Sequence, residues 1–461
     1  MSQSDAFSWY MEKDPALRST VVAVAWLSDS PDWTSMCHKL DHATRLAPGF
    51  RQRPYEPVAR LSTPRWATDP AFDLTWHCRR LAAPEPRSTD TVLEMARLAA
   101  MTGFDRTRPL WEFTLVEGLQ GGQAALVMKM HHSLTDGIGG VALAHLLLDE
   151  RPNGTTTGPE VAAPRGERVT RNRLVMEGLL YQATRVTDTV AHALRRTPSA
   201  LSTAARHPWD ATMKTTTTAA SLARMLRPVR STRSPLITRR GPGRALSMID
   251  VGLGDLKRAA AEGGGTVNDG FLAALAGGLR MYHDLHGAKV GELLMTMPIS
   301  IRRPDDPSGG NRITLERLAI PIGVLDVNTR IAEIHRRCLK TRAEPAIAYT
   351  NTVAAVLNML PASVTGSMLK HVDFLASDVP GFNRPAYLCG SQITGFHSFG
   401  PTIGAALNAT LFSYVSECCI GVTIDTDAVP DHEVLMESLR AGFDEVTKPL
   451  PTRRPARART C

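Results

Sequence analysis

The chain has 461 residues, 43% of them apolar, so it can bury a full core, and its length exceeds what one core ordinarily serves; two domains are expected. Seven scattered cysteines, of which only Cys418 and Cys419 lie together, exclude a disulfide framework and a zinc-ligand spacing and fit a reducing cytoplasm. The net charge is +8, but aromatic residues make up only 6% and no recognition motif accompanies the basic stretches, so nucleic acid is set aside as a partner.

In chain order, residues 20–27 and 111–116 are rich in β-branched and aromatic residues and predict strands. A third strand is predicted over 124–130. It runs directly into His131 and His132, after which Gly137, Gly139 and Gly140 open a helical pattern carrying Val141, Leu143, Leu146 and Leu147. From about Glu150 to residue 166 the text turns to Pro, Gly and Thr, then to Arg-rich and Thr-rich helix-like sequence. The expected organisation is an α/β domain over 1–150, a linker over 151–244, a second α/β domain over 245–448 and a basic, disordered tail over 449–461. Within the second domain, strands are predicted at 246–251, 293–299, 408–416 and 419–425 and a helix at 267–282. A closing helix places Leu435, Leu439, Phe443 and Val446 on one face.

The positive charge is local. Arg224, Arg227, Arg230, Arg233, Arg239, Arg240 and Arg244 fall in one stretch, and Arg453, Arg454, Arg457 and Arg459 in the tail. Such clusters suit anionic lipid headgroups or a phosphorylated ligand, and equally a solvated, flexible face. No apolar run approaches the ~20 residues a spanning helix needs. A cytoplasmic protein in peripheral contact with membrane or lipid droplet is the expectation.

The run His131-His132-Ser133-Leu134-Thr135-Asp136-Gly137 carries the chemistry. If two-residue alternation continues through residue 132, then Leu126, Met128, Met130 and His132 share one face, and Val127, Lys129 and His131 the other. An apolar stripe favours neutral imidazole, the form able to take a proton from an alcohol, so His132 is the candidate general base. His131 is read as a hydrogen-bonded support. Asp136, where the helix begins, suits a cap or an arginine partner, and Gly137 a close backbone approach. No third ligand stands at a metal-site spacing beside His132 and Asp136, and Ser133 lacks the Gly-x-Ser-x-Gly elbow of a nucleophile. Neither a metal nor a bound prosthetic group is expected.

His131 to Gly137 matches the H-H-x-x-x-D-G signature of coenzyme A-dependent acyltransferases. Four further segments narrow the likeness: Pro109-Leu110-Trp111, Val267-Asn268-Asp269, Pro298-Ile299-Ser300-Ile301-Arg302 followed by Gly310-Asn311, and Ser377-Asp378-Val379-Pro380-Gly381. In this order the chain resembles the bacterial wax ester synthase/diacylglycerol acyltransferase family, from Ser4-Asp5-Ala6-Phe7 to Ser413-Tyr414 and the stretch Gly421 to Asp425. It departs from the family pattern at Asp378, where Asn is usual, and at Ile299, where Val is more frequent.

The resemblance implies two chloramphenicol acetyltransferase-like domains with mixed sheets and a substrate tunnel at their interface. It also implies acyl-CoA as donor, diacylglycerol or a long-chain alcohol as acceptor, and His132 as base with His131 and Asp136 in support. Asn268 and Asp269 then either cap their helix or support the site across the interface. Arg302 either binds a CoA phosphate or pairs with Asp136, Ser300 stands beside it at the substrate, and Trp111 either packs or touches substrate. Two rival readings are a related transferase acting on polyketide or carrier-bound substrates and a non-catalytic lipid-binding paralogue.

Overall fold

A computed structural model describes residues 1–58, 62–134, 137–154, 161–182, 184, 229–300, 313–345, 349–360, 364, 366 and 369–448. The N-terminal half contains strands β1 (Thr20–Leu27), β2 (Gln52–Tyr55), β3 (Arg65–Thr68), β4 (Cys78–Ala82), β5 (Trp111–Glu117) and β6 (Ala124–His131). Its helices are α1 (Gln3–Met11), α2 (Trp33–Leu46), α3 (Leu74–His77), α4 (Thr89–Met101) and α5 (Gly137–Leu147). The C-terminal half contains β7 (Arg244–Gly252), β8 (Glu292–Ser300), β9 (Ile313–Pro321), β10 (Phe374–Phe382), β11 (Tyr387–Leu388), β12 (Ser391–Phe399), β13 (Leu407–Tyr414) and β14 (Glu417–Asp425). Its helices are α6 (Leu253–Glu262), α7 (Val267–Leu285), α8 (Val327–Arg342), α9 (Thr350–Leu357) and α10 (His432–Thr447).

Two six-stranded mixed sheets result, one ordered β11-β12-β1-β6-β5-β4 and the other β7-β14-β13-β10-β8-β9. The chain does not divide them at the linker. β11 and β12 leave the C-terminal half and extend the first sheet, β12 running antiparallel to β1 with Val22 opposite Phe399 and Val24 opposite His397. β12 also lies on the second sheet, where Gly421 permits the approach: a Cβ there would stand 2.2 Å from the Ser398 carbonyl oxygen. A hydrogen-bonded relay ties the sheets at this strand. The Trp26 indole N–H donates to His397 Nδ1 at 3.1 Å, so the ring proton sits on Nε2, 2.9 Å from Asp250 Oδ1 on β7.

The C-terminal half has an apolar core of its own, whereas the core on the inner face of the first sheet is shared with Phe382, Phe396, Phe412 and Tyr414 of the C-terminal half. Behind the second sheet, α7 crosses α10 with Leu272, Leu275 and Leu279 packed among Leu435, Leu439 and Phe443. The crossing is close because Gly278 and Gly442 face each other; a Cβ on Gly442 would lie 2.3 Å from the Gly278 nitrogen. The first sheet turns Met128, Met130, Phe113 and Leu126 toward the second, and buries Val22, Val24, Val127 and Val116 on its other face against α4. The alternation expected along β6 therefore holds through Met130.

Candidate active site

β6 ends at His131, one residue before the expected alternation would have ended, and His132 begins the turn that follows. Backbone bonds fix that turn: His131 N–H donates to the Leu110 carbonyl at 3.0 Å, His132 N–H to the Ser19 carbonyl at 2.8 Å, and Leu134 N–H to the His131 carbonyl at 2.9 Å. α5 starts at Gly137.

The two imidazoles have different surroundings. His131 is fully buried, edge-on to Trp9 and Phe104, and its Nδ1 lies 2.7 Å from Ser133 Oγ and accepts the Ser133 N–H at 3.1 Å. That leaves Nε2 to carry a proton, and it faces Glu12 Oε2 at 3.3 Å. Glu12 also accepts the Ser19 N–H at 3.0 Å. Burial by itself would raise the Glu12 carboxyl; the facing His131 imidazole, the Ser19 N–H and Arg18 outweigh it and hold the group below the usual carboxylate range. Ser19 thus links the pair to its neighbour, since its N–H binds Glu12 while its carbonyl binds the backbone of His132.

His132 is half-buried and lines a cavity between the two sheets of about 1080 Å³, mouth included. From the first sheet Val21, Phe113, Met128 and Met130 form the wall, with Leu143 and Leu147 of α5. Pro298, Leu375, Val379, Phe396 and Phe412 close it from β8, β10, β12 and β13. Besides the histidines, its polar lining residues are Ser377 on β10, Ser398 on β12, and Asn408 and Thr410 on β13. Asn408 Nδ2 donates to the Pro401 carbonyl at 2.7 Å. The size and lining suit an apolar ligand held beside a small number of polar groups.

Other residues singled out in the sequence take up different places. Trp111 is fully buried, donates its indole N–H to the Phe50 carbonyl at 2.8 Å and stacks on His77 at 4.5 Å, so it stands behind the wall and Phe113 faces the cavity instead. Asp269 closes a capping box with Thr266, accepting its N–H at 2.8 Å, and also contacts His335 Nδ1 at 2.7 Å. Asn268, beside it, has a buried amide nitrogen without a hydrogen-bond partner among the described residues and is not part of the cavity lining. Ser377 and Val379 line the cavity while Asp378 between them points away and is exposed, so the departure from Asn falls off the wall. Ser300 ends β8 with its backbone paired to Ile313. Its side chain, Asp136, Arg302 and Gly310-Asn311 lie outside the described residues. Glu12 is the residue the sequence reading passed over. It follows the opening segment Ser4 to Phe7 by five residues, and an acidic residue just after an aromatic-rich helix was the available signal.

The sequence matches the family model of the wax ester synthase/diacylglycerol acyltransferase catalytic domain over residues 1–271 and that of the WS/DGAT C-terminal domain over 309–447. A putative diacylglycerol O-acyltransferase of Mycobacterium tuberculosis strain H37Rv is 34% identical over 441 residues, spanning 94% of this chain and 89% of the relative. A probable diacylglycerol O-acyltransferase of the CDC 1551 strain is 25% identical over 425 residues, 86% and 83% of the two chains. Among solved structures, the wax ester synthase/diacylglycerol acyltransferase of Marinobacter aquaeolei VT8 shares the fold with a TM-score of 0.60 at 21% identity, over 96% of this chain and 97% of that one. The starter condensation domain of rhizomide synthetase, solved with C8-CoA, has a TM-score of 0.60 at 12% identity over 97% and 95%. With both family models matched in order and a relative at 34% identity along almost the whole length, the chain belongs to the wax ester synthase/diacylglycerol acyltransferase family of O-acyltransferases.

Proposed function

We propose that the protein transfers an acyl group from acyl-CoA to the hydroxyl of diacylglycerol, of a long-chain alcohol, or of both, with His132 as general base. The observation that carries this reading is the position of the His132 imidazole on the wall of an apolar cavity between two sheets. In the proposed step the imidazole takes the hydroxyl proton as the oxygen attacks the thioester carbonyl carbon. The tetrahedral centre then collapses, the carbon–sulfur bond breaks, and the proton passes from the imidazolium to the sulfur to give free CoA thiol. Proton and charge balance without a metal or prosthetic group, and no covalent acyl-enzyme is needed. General acid–base assistance of this kind contributes about 10²–10⁴ in rate; alignment of the two substrates in the cavity supplies much of the rest.

The Glu12–His131 pair supports His132 through the Ser19 backbone, and Asp136 is proposed to support the same turn. Peripheral contact with a membrane or lipid droplet in the cytoplasm is part of the proposal. It is supported by Arg230 and Arg239, exposed in the basic stretch, and by Met176, Leu179 and Leu180, apolar side chains that residues 171–182 leave exposed beside Arg171 and Arg173; Arg240 and Arg244 of the same stretch are instead bound to backbone carbonyls, and Arg233 pairs with Glu292. No helix among the described residues is long and apolar enough to cross a membrane. The test is product chromatography after incubating the protein with radiolabelled palmitoyl-CoA and, separately, diacylglycerol or hexadecanol. Labelled triacylglycerol or wax ester is expected. A protein inactive with free acyl-CoA on both acceptors overturns the reading.

A further inference from the structure

A second cavity, of about 390 Å³ with its mouth, lies beside the chamber and shares Gly400 and Pro401 as wall. Its chemistry is the reverse of the chamber's. Arg18, Thr20, Arg244, Thr402 and Thr423 line it, brought together from the start of β1, the start of β7, the loop after β12 and the end of β14. Thr20, Thr402 and Thr423 are 4%, 1% and 3% exposed, and none of the three hydroxyls has a hydrogen-bond partner among the described residues. The buried Nε of Arg18 is in the same condition, its nearest carboxylate being Glu12 at 3.8 Å. Buried hydroxyls without partners are rare in folded proteins because each forfeits its bonds to water. Three around one cavity call for a polar group, water or ligand, that meets them.

The charges narrow the class. Arg244 is engaged by the Gly241 and Gly243 carbonyls, both at 2.7 Å, and by Asp425 at 3.4 Å; Arg18 donates to the Met101 carbonyl and stands by Glu12. Each guanidinium already has its carboxylate, so the cavity offers hydroxyl donors and acceptors with little net charge to hold an anion. It is also much smaller than the chamber and takes a functional group rather than a chain. Thr20 is the cross-strand partner of His131, which sets the cavity next to the histidine turn.

We propose that this annexe is a substrate subsite holding an uncharged carbonyl-bearing segment, an amide or an ester, of a molecule whose reacting end lies at His132. The proposal rests on the acyltransferase reading for the second half of that statement. Two sources carry such carbonyls, the pantetheine arm of CoA and the ester groups of a diacylglycerol, and the experiment separates them.

Thr20→Val and Thr402→Val, singly and together, remove hydroxyls at nearly constant shape. If these hydroxyls merely pack, substitution leaves melting temperature equal or higher and ligand affinity unchanged. Titration calorimetry with free CoA and with dioctanoylglycerol is independent of turnover. We expect about fivefold to tenfold weaker binding of one ligand, the weight of one or two neutral hydrogen bonds, with no loss of melting temperature. Loss confined to CoA assigns the thioester arm, and loss confined to dioctanoylglycerol assigns the acceptor. Thr402→Ser, which keeps the hydroxyl, is expected to bind as the parent does. Unchanged affinity for both ligands in the folded single variants overturns the subsite, whatever the protein's turnover; absent turnover with changed binding overturns the activity and leaves the subsite standing.

Discussion

Removal of the Glu12 carboxylate is expected to weaken both the fold and the catalytic turn. Its side chain is 7% exposed and accepts from Ser19 N–H at 3.0 Å while facing His131 Nε2 at 3.3 Å. Glu12→Ala strips the Ser19 N–H of its acceptor and His131 Nε2 of its facing carboxylate, at about 1–3 kcal/mol each, so a destabilisation of about 2–6 kcal/mol is expected. Glu12→Gln keeps one acceptor oxygen and is expected to cost about half as much. The effect on rate is indirect: the Ser19 peptide joins Glu12 to the His132 backbone, so kcat is expected to fall about tenfold or more with KM little changed. The pH dependence has a fixed sign. The folded carboxyl is held below its unfolded value, so its stabilisation is fully present above the ordinary carboxylate pKa of about 4.3 and disappears as pH falls through the folded value. Urea denaturation of parent and Glu12→Gln from pH 7 down to pH 3 is the assay, and the stability difference should close at the acid end. A difference that stays constant with pH, or a Glu12→Gln protein with parental stability and kcat, would refute the reasoning.

Other expectations follow from groups elsewhere. Burial, with the nearby Glu344, raises Glu316 to about 7 against the opposing effect of Arg317, so the native state retains a proton that the unfolded chain loses from about pH 4.5 upward. Glu316→Gln should therefore be more stable than the parent at pH 8, by about 3 kcal/mol at most, with no advantage below pH 4.5; a thermal melt series shows it. His397→Ala cuts the Trp26–His397–Asp250 relay and strands the indole N–H, and a loss of about 2–3 kcal/mol in urea denaturation is expected. Gly442→Val drives a side chain into the α7 backbone and should cost about 3 kcal/mol or more, or prevent folding, whereas an exposed control such as Glu433→Ala should be near neutral.

Local pattern was enough wherever a strand's composition matched its burial. The stretches at 20–27, 111–116 and 124–130 became strands within one residue at either end, since Val, Ala, Leu and Met there are buried on both faces. The helix from Val267 was legible from its apolar face and from Asn268 and Asp269 at its start; the box that Asp269 closes there with Thr266 emerged only in the structure. β10 was legible only as a motif, because Pro380 and Gly381 argue against a strand that the parallel pairing with β13 nevertheless holds. β12 could not be placed from its own text. Ser391 to Phe399 mixes Gln, Thr, Gly and His with few apolar residues, and its membership of the first sheet is decided by contacts with β1 more than 360 residues away in sequence. Separation along the chain likewise explains why Glu12 was missed, since its partner His131 is brought to it only when β1 pairs with β6. His132, in contrast, was visible from the motif, and the cavity beside it follows from the apolar residues that precede it on β6.

The most direct measurement is kcat for palmitoyl-CoA with diacylglycerol in His132→Ala, alongside the parent and His131→Ala, each with its melting temperature recorded. The account predicts that His132→Ala keeps a near-parental melting temperature and loses about 10²–10⁴ in kcat, while His131→Ala loses stability as well as rate. A folded His132→Ala protein that esterifies at the parental rate would contradict it.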